Sequence, residues 1–128
     1  MFKRFLDFTD EEIERSTTTG MVGPFAFSRA AITAFQKNEL SDPVKHPSEG
    51  ARKKGTLIFT GATAALRGNT TTSIFSATKF AQRSLSQSLN KEFGPQNIHV
   101  AHVSTPRLSM HAPSRPHDEE SPSSMVAF

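Results

Sequence analysis

Residues 55–103 read GTLIFTGATAALRGNTTTSIFSATKFAQRSLSQSLNKEFGPQNIHVAHV, and this stretch decides the fold. Thr56–Thr60 is a β-prone run between two glycines. Its apolar side chains fall on both sides, which predicts a strand buried on both faces. From Ser73 to Phe93 apolar residues recur every three or four positions, which predicts an α-helix that Gly94-Pro95 ends. Ile98–Val103 is predicted as a second strand, so the stretch forms a β-α-β unit with two parallel strands.

The N-terminal part of the chain predicts further helix. Thr9 and Glu12 have the spacing of a capping box, with acidic residues in the first turn. Ser16–Gly20 is poor helix material, and Pro24 removes a backbone donor inside a helix. Helical spacing returns up to Phe35. The pattern therefore predicts either one long helix kinked near Pro24 or two shorter pieces.

Two polar segments limit the ordered domain. We predict one α/β domain over residues 1–103, with a polar surface loop over 36–54 that contains Pro43, Pro47 and Gly50. Prolines then alternate with serine, histidine and charged residues, which predicts a disordered tail over residues 104–128.

The composition excludes several classes of protein. The chain contains no cysteine, so it has neither a disulfide framework nor a thiolate metal site. The formal net charge of +3 is scattered apart from Arg52-Lys53-Lys54, which argues against a nucleic-acid partner. No apolar run approaches the roughly 20 residues of a membrane span. The N-terminus turns acidic too early for a signal peptide, so we predict a cytoplasmic protein without a membrane partner. His99 and His102 point to opposite faces of a strand, so no metal site is predicted.

Several motifs resemble those of the short-chain dehydrogenase/reductase family. The strand Thr56–Thr60 resembles the family's fifth strand, which ends at a catalytic serine. Phe75-Ser76-Ala77-Thr78-Lys79 stands where the family has Tyr-x-x-x-Lys. The segments that resemble the rest of that helix, the sixth strand and the fourth helix are Ser84–Leu89, Glu92–Gly94, Ile98–Val100, Ile13, Gly23, Phe25 and Ser28–Ala30. The resemblance covers about residues 2–103. It implies a partial Rossmann-like doubly wound fold that lacks the N-terminal cofactor-binding half.

The resemblance also implies where the catalytic residues should lie. In the family, a tyrosine exchanges a proton with the substrate oxygen, a serine polarises that oxygen, and a lysine holds the nicotinamide ribose. An asparagine on the fourth helix organises a water. Here the tyrosine position is Phe75, the serine position is Ala62 with Thr63 beside it as a stand-in, and the asparagine position is Gly20. Only Lys79 is retained, and it is also the implied cofactor-binding residue.

Each of these side chains also has a purely structural interpretation. Lys79 is either a retained ribose-binding lysine or a lysine on the helix surface. Phe75 is either a packing aromatic or a stacking surface for a substrate. Ser76 is interpreted as a solvated helix serine rather than as a nucleophile, because no base and orienting group accompany it.

Two functional hypotheses follow. The first is an NAD(P)-dependent oxidoreductase by descent, which is inactive as this chain because no glycine-rich turn follows a strand and Phe75 has no proton to exchange. The resemblance implies NAD(P) and no metal. The alternative is a non-catalytic pseudoenzyme or interaction module. In that case helix 73–93 would pair with a full-length relative or a second copy, as a homo- or hetero-oligomer.

Overall fold

In the computed structural model, which describes residues 2–40 and 53–105, the chain forms helices around a parallel two-stranded sheet. The elements are α1 (Asp10–Thr17), α2 (Gly23–Gln36), β1 (Gly55–Ala62), α3 (Ser73–Phe93) and β2 (Ile98–Thr105). Most of the predicted loop, residues 41–52, and most of the predicted tail, residues 106–128, lie outside the described residues. Among the helices within residues 2–40 and 53–105, none combines the length and hydropathy needed to span a bilayer.

The predicted capping box begins α1. The Glu12 amide donates to the Thr9 hydroxyl at 3.3 Å, and the Thr9 amide donates to the Glu12 carboxylate at 3.1 Å. Lys3 pairs with the same carboxylate at 2.6 Å. The hydrogen bond from Lys3, the Thr9 amide and the positive charge hold the pKa of Glu12 below its usual value. These contacts satisfy amides that the first helical turn leaves without partners.

The chain passes from α1 to α2 without a break. A π turn, Thr18–Val22, joins them, and the Gly23 amide donates to the Thr18 carbonyl five residues back. Pro24 lies in the first turn of α2, where a missing N–H is tolerated. The single-helix alternative is therefore correct, and a wider turn accommodates the proline.

The β-α-β unit forms as the sequence predicts. The strands pair in parallel, in register from Gly55 opposite Ile98 to Ala62 opposite Thr105. Helix α3 has the predicted bounds, Ser73–Phe93. Strand β2 runs two residues past Val103, so Ser104 and Thr105 belong to the sheet and not to a tail.

The sheet is covered on one face only. Leu57 and Phe59 are buried, while Ile58 between them is 60% exposed. Both α2 and α3 pack on the covered face, where the buried core consists of Ile32, Leu57, Phe59, Leu85, Ile98 and Val100. The prediction that β1 is buried on both faces is therefore wrong. The described helices supply side chains to one side of the strands, and the alternation of burial follows from that.

Candidate functional site

A cleft lies between the first half of α3 and the helical segment that leads into α2. It has a volume of about 400 Å³. Its lining residues are Arg15, Ser16, Thr19, Gly20, Ile74, Phe75, Thr78, Lys79 and Gln82. We call it the Lys79 cleft. It brings three of the five expected positions together, because Phe75 and Lys79 are one helical turn apart and α3 packs against the π turn that contains Gly20.

Lys79 is anchored inside the cleft. Its ammonium nitrogen donates to the Thr60 carbonyl at 2.8 Å and to the Gln82 side-chain oxygen at 3.3 Å. The residue is half-buried. These two contacts give the Lys79 ammonium a defined position. An ammonium has three donors, and these two bonds leave one for a ligand.

The asparagine position contributes a backbone carbonyl and no side chain. The Gln82 amide nitrogen donates to the Gly20 carbonyl at 2.8 Å. In an α-helix this carbonyl would accept from residue 24, but Pro24 has no N–H, so the carbonyl is left for another donor. A Cβ at Gly20 would lie 2.7 Å from the Thr78 Cβ, so any side chain here would force the π turn away from α3.

Phe75 packs as an aromatic. Its ring meets the Phe2 ring edge to face, with centroids 5.6 Å apart and an interplanar angle of 62°. The Lys3 amide, one residue on, donates to the Thr71 carbonyl at 3.1 Å and so ties the N-terminal segment to the loop before α3. The ring offers no ionisable group at the position where the family places its tyrosine. The packing interpretation of Phe75 therefore fits the geometry.

The serine position and its stand-in lie at the end of β1 and in the turn that follows it. Ala62 ends β1, and Thr63 begins a 3₁₀ turn, Thr63–Ala65. The Thr63 carbonyl accepts from the amides of Leu66 at 2.9 Å and Arg67 at 3.1 Å, which closes the turn. Neither Ala62 nor Thr63 lines the Lys79 cleft. Ala62 supplies no hydroxyl, and the 3₁₀ turn that Thr63 begins packs against α3.

Ser76 and His102 lie deeper than their neighbours. Ser76 is 4% exposed, with its hydroxyl oxygen 3.0 Å from that of Thr72, so the expectation of a solvated serine is wrong. The His102 ring lies against the Cα of Gly61, where an added Cβ would collide with it. Its Nε2 atom is buried and has no hydrogen-bond partner among the described residues.

His102 reports the electrostatic potential near the cleft. Burial lowers the pKa of the imidazole, and the positive charges of Arg83 and Lys79 lower it further. A like charge nearby and a poorly hydrated setting both disfavour the protonated ring. Arg83 and Lys79 are thus the charged groups that act on the imidazole.

Sequence reasoning missed two residues of the cleft. Arg15 is four positions before Thr19 and shares its helix face, and Gln82 is three positions after Lys79 on α3. The signal for Gln82 is Pro24, which leaves the Gly20 carbonyl without its helical donor. No sequence signal connects Arg15 to α3, because the contact depends on how two distant helices pack.

The described residues fit only part of a nicotinamide dinucleotide. Lys79 has a donor left for a ribose hydroxyl. A pyrophosphate needs backbone amides of a glycine-rich turn that leads from a strand into a helix. The described segment between β1 and α3, residues 63–72, contains one glycine, Gly68. An added Cβ at Gly68 would meet nothing within 4 Å, so no group approaches this glycine closely. The described residues do not fit the whole cofactor.

Three solved dehydrogenase structures are similar to this chain. A short-chain dehydrogenase from Rhodopseudomonas palustris is 29% identical, with a TM-score of 0.65, over 81% of this chain and 42% of its own length. One from Streptomyces avermitilis is 22% identical, with a TM-score of 0.65, over 94% of this chain and 40% of its own. A 4-hydroxyisoleucine dehydrogenase complexed with NADH is 21% identical, with a TM-score of 0.63, over 81% and 40%. The chain thus spans less than half the length of these proteins.

A family comparison agrees with the fold. No protein of curated function matches the chain. The family model for short chain dehydrogenases matches residues 1–115. That match covers most of the 128 residues, including all of the described elements. This match, together with the parallel β-α-β unit, identifies the chain as a member of the short-chain dehydrogenase family.

Proposed function

We propose that this member of an oxidoreductase family does not transfer hydride with its own residues. It acts instead as a non-catalytic module that binds a partner. The observation that carries the proposal is Phe75, which occupies the position of the family's proton-exchanging tyrosine. General acid–base catalysis needs an ionisable group within hydrogen-bond reach of the reacting oxygen. A phenyl ring packed against Phe2 offers none.

The other expected groups support the same conclusion. Ala62 has no hydroxyl with which to polarise a carbonyl. The ammonium of Lys79 already donates to the Thr60 carbonyl and to Gln82. In the family that lysine assists a tyrosine, and here the tyrosine is absent. Lys79 would retain a positioning or binding role without a partner for proton transfer.

The first experiment measures cofactor binding and turnover together. Purified protein is titrated into NADH and NADPH, and the fluorescence of the reduced nicotinamide is followed. The chain has no tryptophan or tyrosine, so the protein contributes little background. We expect no saturable binding and no oxidation of either cofactor with a panel of aldehydes and ketones.

Two variants make this experiment decisive. Lys79→Met removes the retained lysine, and Lys91→Met removes an exposed lysine near the end of the same helix. Saturable cofactor binding with turnover that Lys79→Met abolishes and Lys91→Met keeps would overturn the proposal. Circular dichroism spectra of both variants check that α3 still forms.

The second candidate function is pairing through α3, residues Ser73–Phe93. The observation in its favour is a set of apolar side chains that the helices leave in solvent. Phe80 on α3 is 41% exposed, and Phe25 and Phe27 on α2 are 49% and 67% exposed. A contiguous patch of such side chains would be typical of an interaction surface. The occupant would be a second copy or a full-length relative.

Sedimentation equilibrium tests the pairing with a second copy. We expect a dimer that Phe80→Glu converts to a monomer, because a charge would have to be buried without a partner. Ser84→Glu places the same charge at an exposed position one turn away on α3 and serves as the control. A monomeric wild-type protein, or equal dissociation by both variants, would contradict self-pairing.

A further inference from the structure

The charged side chains that line the Lys79 cleft are all positive. Arg15 and Lys79 are cationic, and none of the nine lining residues is acidic. Within residues 2–40 and 53–105 the guanidinium of Arg15 forms no ion pair, since the pair found there joins Lys3 to Glu12. An unpaired arginine that lines the same cleft as a lysine attracts an anion, and the planar guanidinium suits a carboxylate.

The cations are held in different ways. Lys79 is fixed by the Thr60 carbonyl and the Gln82 side chain, so its charge stays at one position. Arg15 is exposed at the mouth of the cleft and can adjust to a ligand. The positive end of the α3 dipole, at Ser73–Phe75, adds a field of the same sign, although the two side chains supply most of it.

The remaining part of the lining is apolar or small. Ile74 and Phe75 are both half-buried, and the Phe75 ring is fixed from behind by Phe2. Ser16 and Thr19 contribute short side chains that leave room. A volume of about 400 Å³ lies within the usual range for small-molecule sites, which combine apolar walls with a few polar groups.

We propose that the Lys79 cleft binds a small organic carboxylate. The carboxylate pairs with Arg15, Lys79 adds a second positive charge, and the apolar body of the ligand lies against Ile74 and Phe75. This site goes beyond the proposed function, because it needs neither a nicotinamide cofactor nor a second chain. An apolar body distinguishes such a ligand from inorganic phosphate, which would meet the cations alone.

The test uses 4-fluorobenzoate as the probe and follows its ¹⁹F resonance in the presence of the full chain. We expect saturable line broadening. The neutral analogue 4-fluorobenzyl alcohol should bind about tenfold more weakly, because it loses a charge-assisted contact. Inorganic phosphate at equal concentration should not displace the benzoate.

Matched variants locate the site. Arg15→Gln should weaken binding of the benzoate about tenfold, whereas Arg29→Gln, an exposed arginine on α2, should leave it unchanged. Thr19→Phe should fill the cleft and abolish binding, while Thr33→Phe at an exposed position of α2 should not. Far-ultraviolet circular dichroism confirms that each variant is folded.

The fluorobenzoate experiment contains no nicotinamide cofactor, so its outcomes test the carboxylate site separately from the proposed function. Equal binding of the alcohol, displacement by phosphate, equal losses in Arg15→Gln and Arg29→Gln, or no saturable broadening would each overturn the carboxylate site. Cofactor turnover, in contrast, would overturn only the proposed function.

Discussion

The two faces of the β1–β2 sheet carry similar side chains in different surroundings. Leu57 and Ile58 are neighbours in β1, yet the first is 5% exposed and the second 60% exposed. In β2, Val100 is 5% exposed and Val103 is 50% exposed. Helices α2 and α3 both pack on the Leu57 face. The comparison shows that burial here depends on which helices lie against a face, and not on how apolar that face is.

The largest expected effect compares two substitutions at adjacent positions. Leu57→Ala should lower the free energy of unfolding by about 2–4 kcal/mol, since it leaves a cavity in the core. Ile58→Ala should lower it by less than about 1 kcal/mol, because that side chain already meets water. Urea denaturation followed by circular dichroism measures both. Equal losses would mean that the Ile58 face is covered in solution, for example by a second copy.

An intermediate effect on stability is expected where Gly61 lies close to the His102 ring on the covered face of the sheet. Gly61→Ala should lower the free energy of unfolding by about 1–3 kcal/mol, because the new methyl group collides with the His102 ring. Gly68 is the control. A Cβ there meets nothing within 4 Å, so Gly68→Ala should be neutral or slightly stabilising.

Losses of the same size in the two glycine variants would contradict the packing of His102 against Gly61. The double variant Gly61→Ala/His102→Ala offers a further check. It should recover part of the loss, because the ring that collides with the methyl group is gone. Thermal unfolding at a fixed pH would detect the recovery.

The smallest expected effect is a pH dependence that originates on the covered face. The pKa of His102 in the folded chain lies below its ordinary value of 6.5 because of burial, Arg83 and Lys79. The unfolded chain therefore binds the proton more readily. Stability is highest above pH 6.5, falls as the pH drops through 6.5, and stops falling below the folded pKa.

The measurement is the urea midpoint between pH 5 and 8. His102→Gln should flatten the slope in this window. His99→Gln changes a histidine that lies in solvent on the other face and is the control. A slope that survives His102→Gln would refute the assignment. Glu12 does not affect the slope in this window. The Lys3 contact lowers the pKa of that carboxyl from 4.5, so its contribution to stability is lost only at a lower pH.

The sequence predicted the helices and strands themselves better than which of their faces are buried. The bounds of α3 are correct because a clear helical period ends at Gly94-Pro95. The strands were predicted too short, since Gly61 and Ser104 have little intrinsic preference for a strand and pair only because their neighbours do. The open face of β1 was not predicted, because apolar residues on both sides of a strand do not reveal which side a helix will cover.

The candidate site was predictable along one helix but not across two. The four-residue spacing of Phe75 and Lys79 placed both on one face of α3. The contact between Gln82 and Gly20 joins residues far apart in the chain, so no local pattern contains it. Arg15 was missed for the same reason. The sequence also did not indicate the 3₁₀ turn Thr63–Ala65 that directly follows β1.

The π turn at Thr18–Val22 has a consequence for how the N-terminal helix tolerates insertions and deletions. One residue advances an α-helix by about 100°. A single deletion in this segment would restore ordinary winding and change the helical phase of α2 relative to α1. Ile32 would then rotate out of the core, where it is 4% exposed, or Arg15 would rotate away from α3. The extra residue of the π turn thus sets the rotation of α2 about the helix axis relative to α1, so that Ile32 reaches the core while Arg15 lines the cleft.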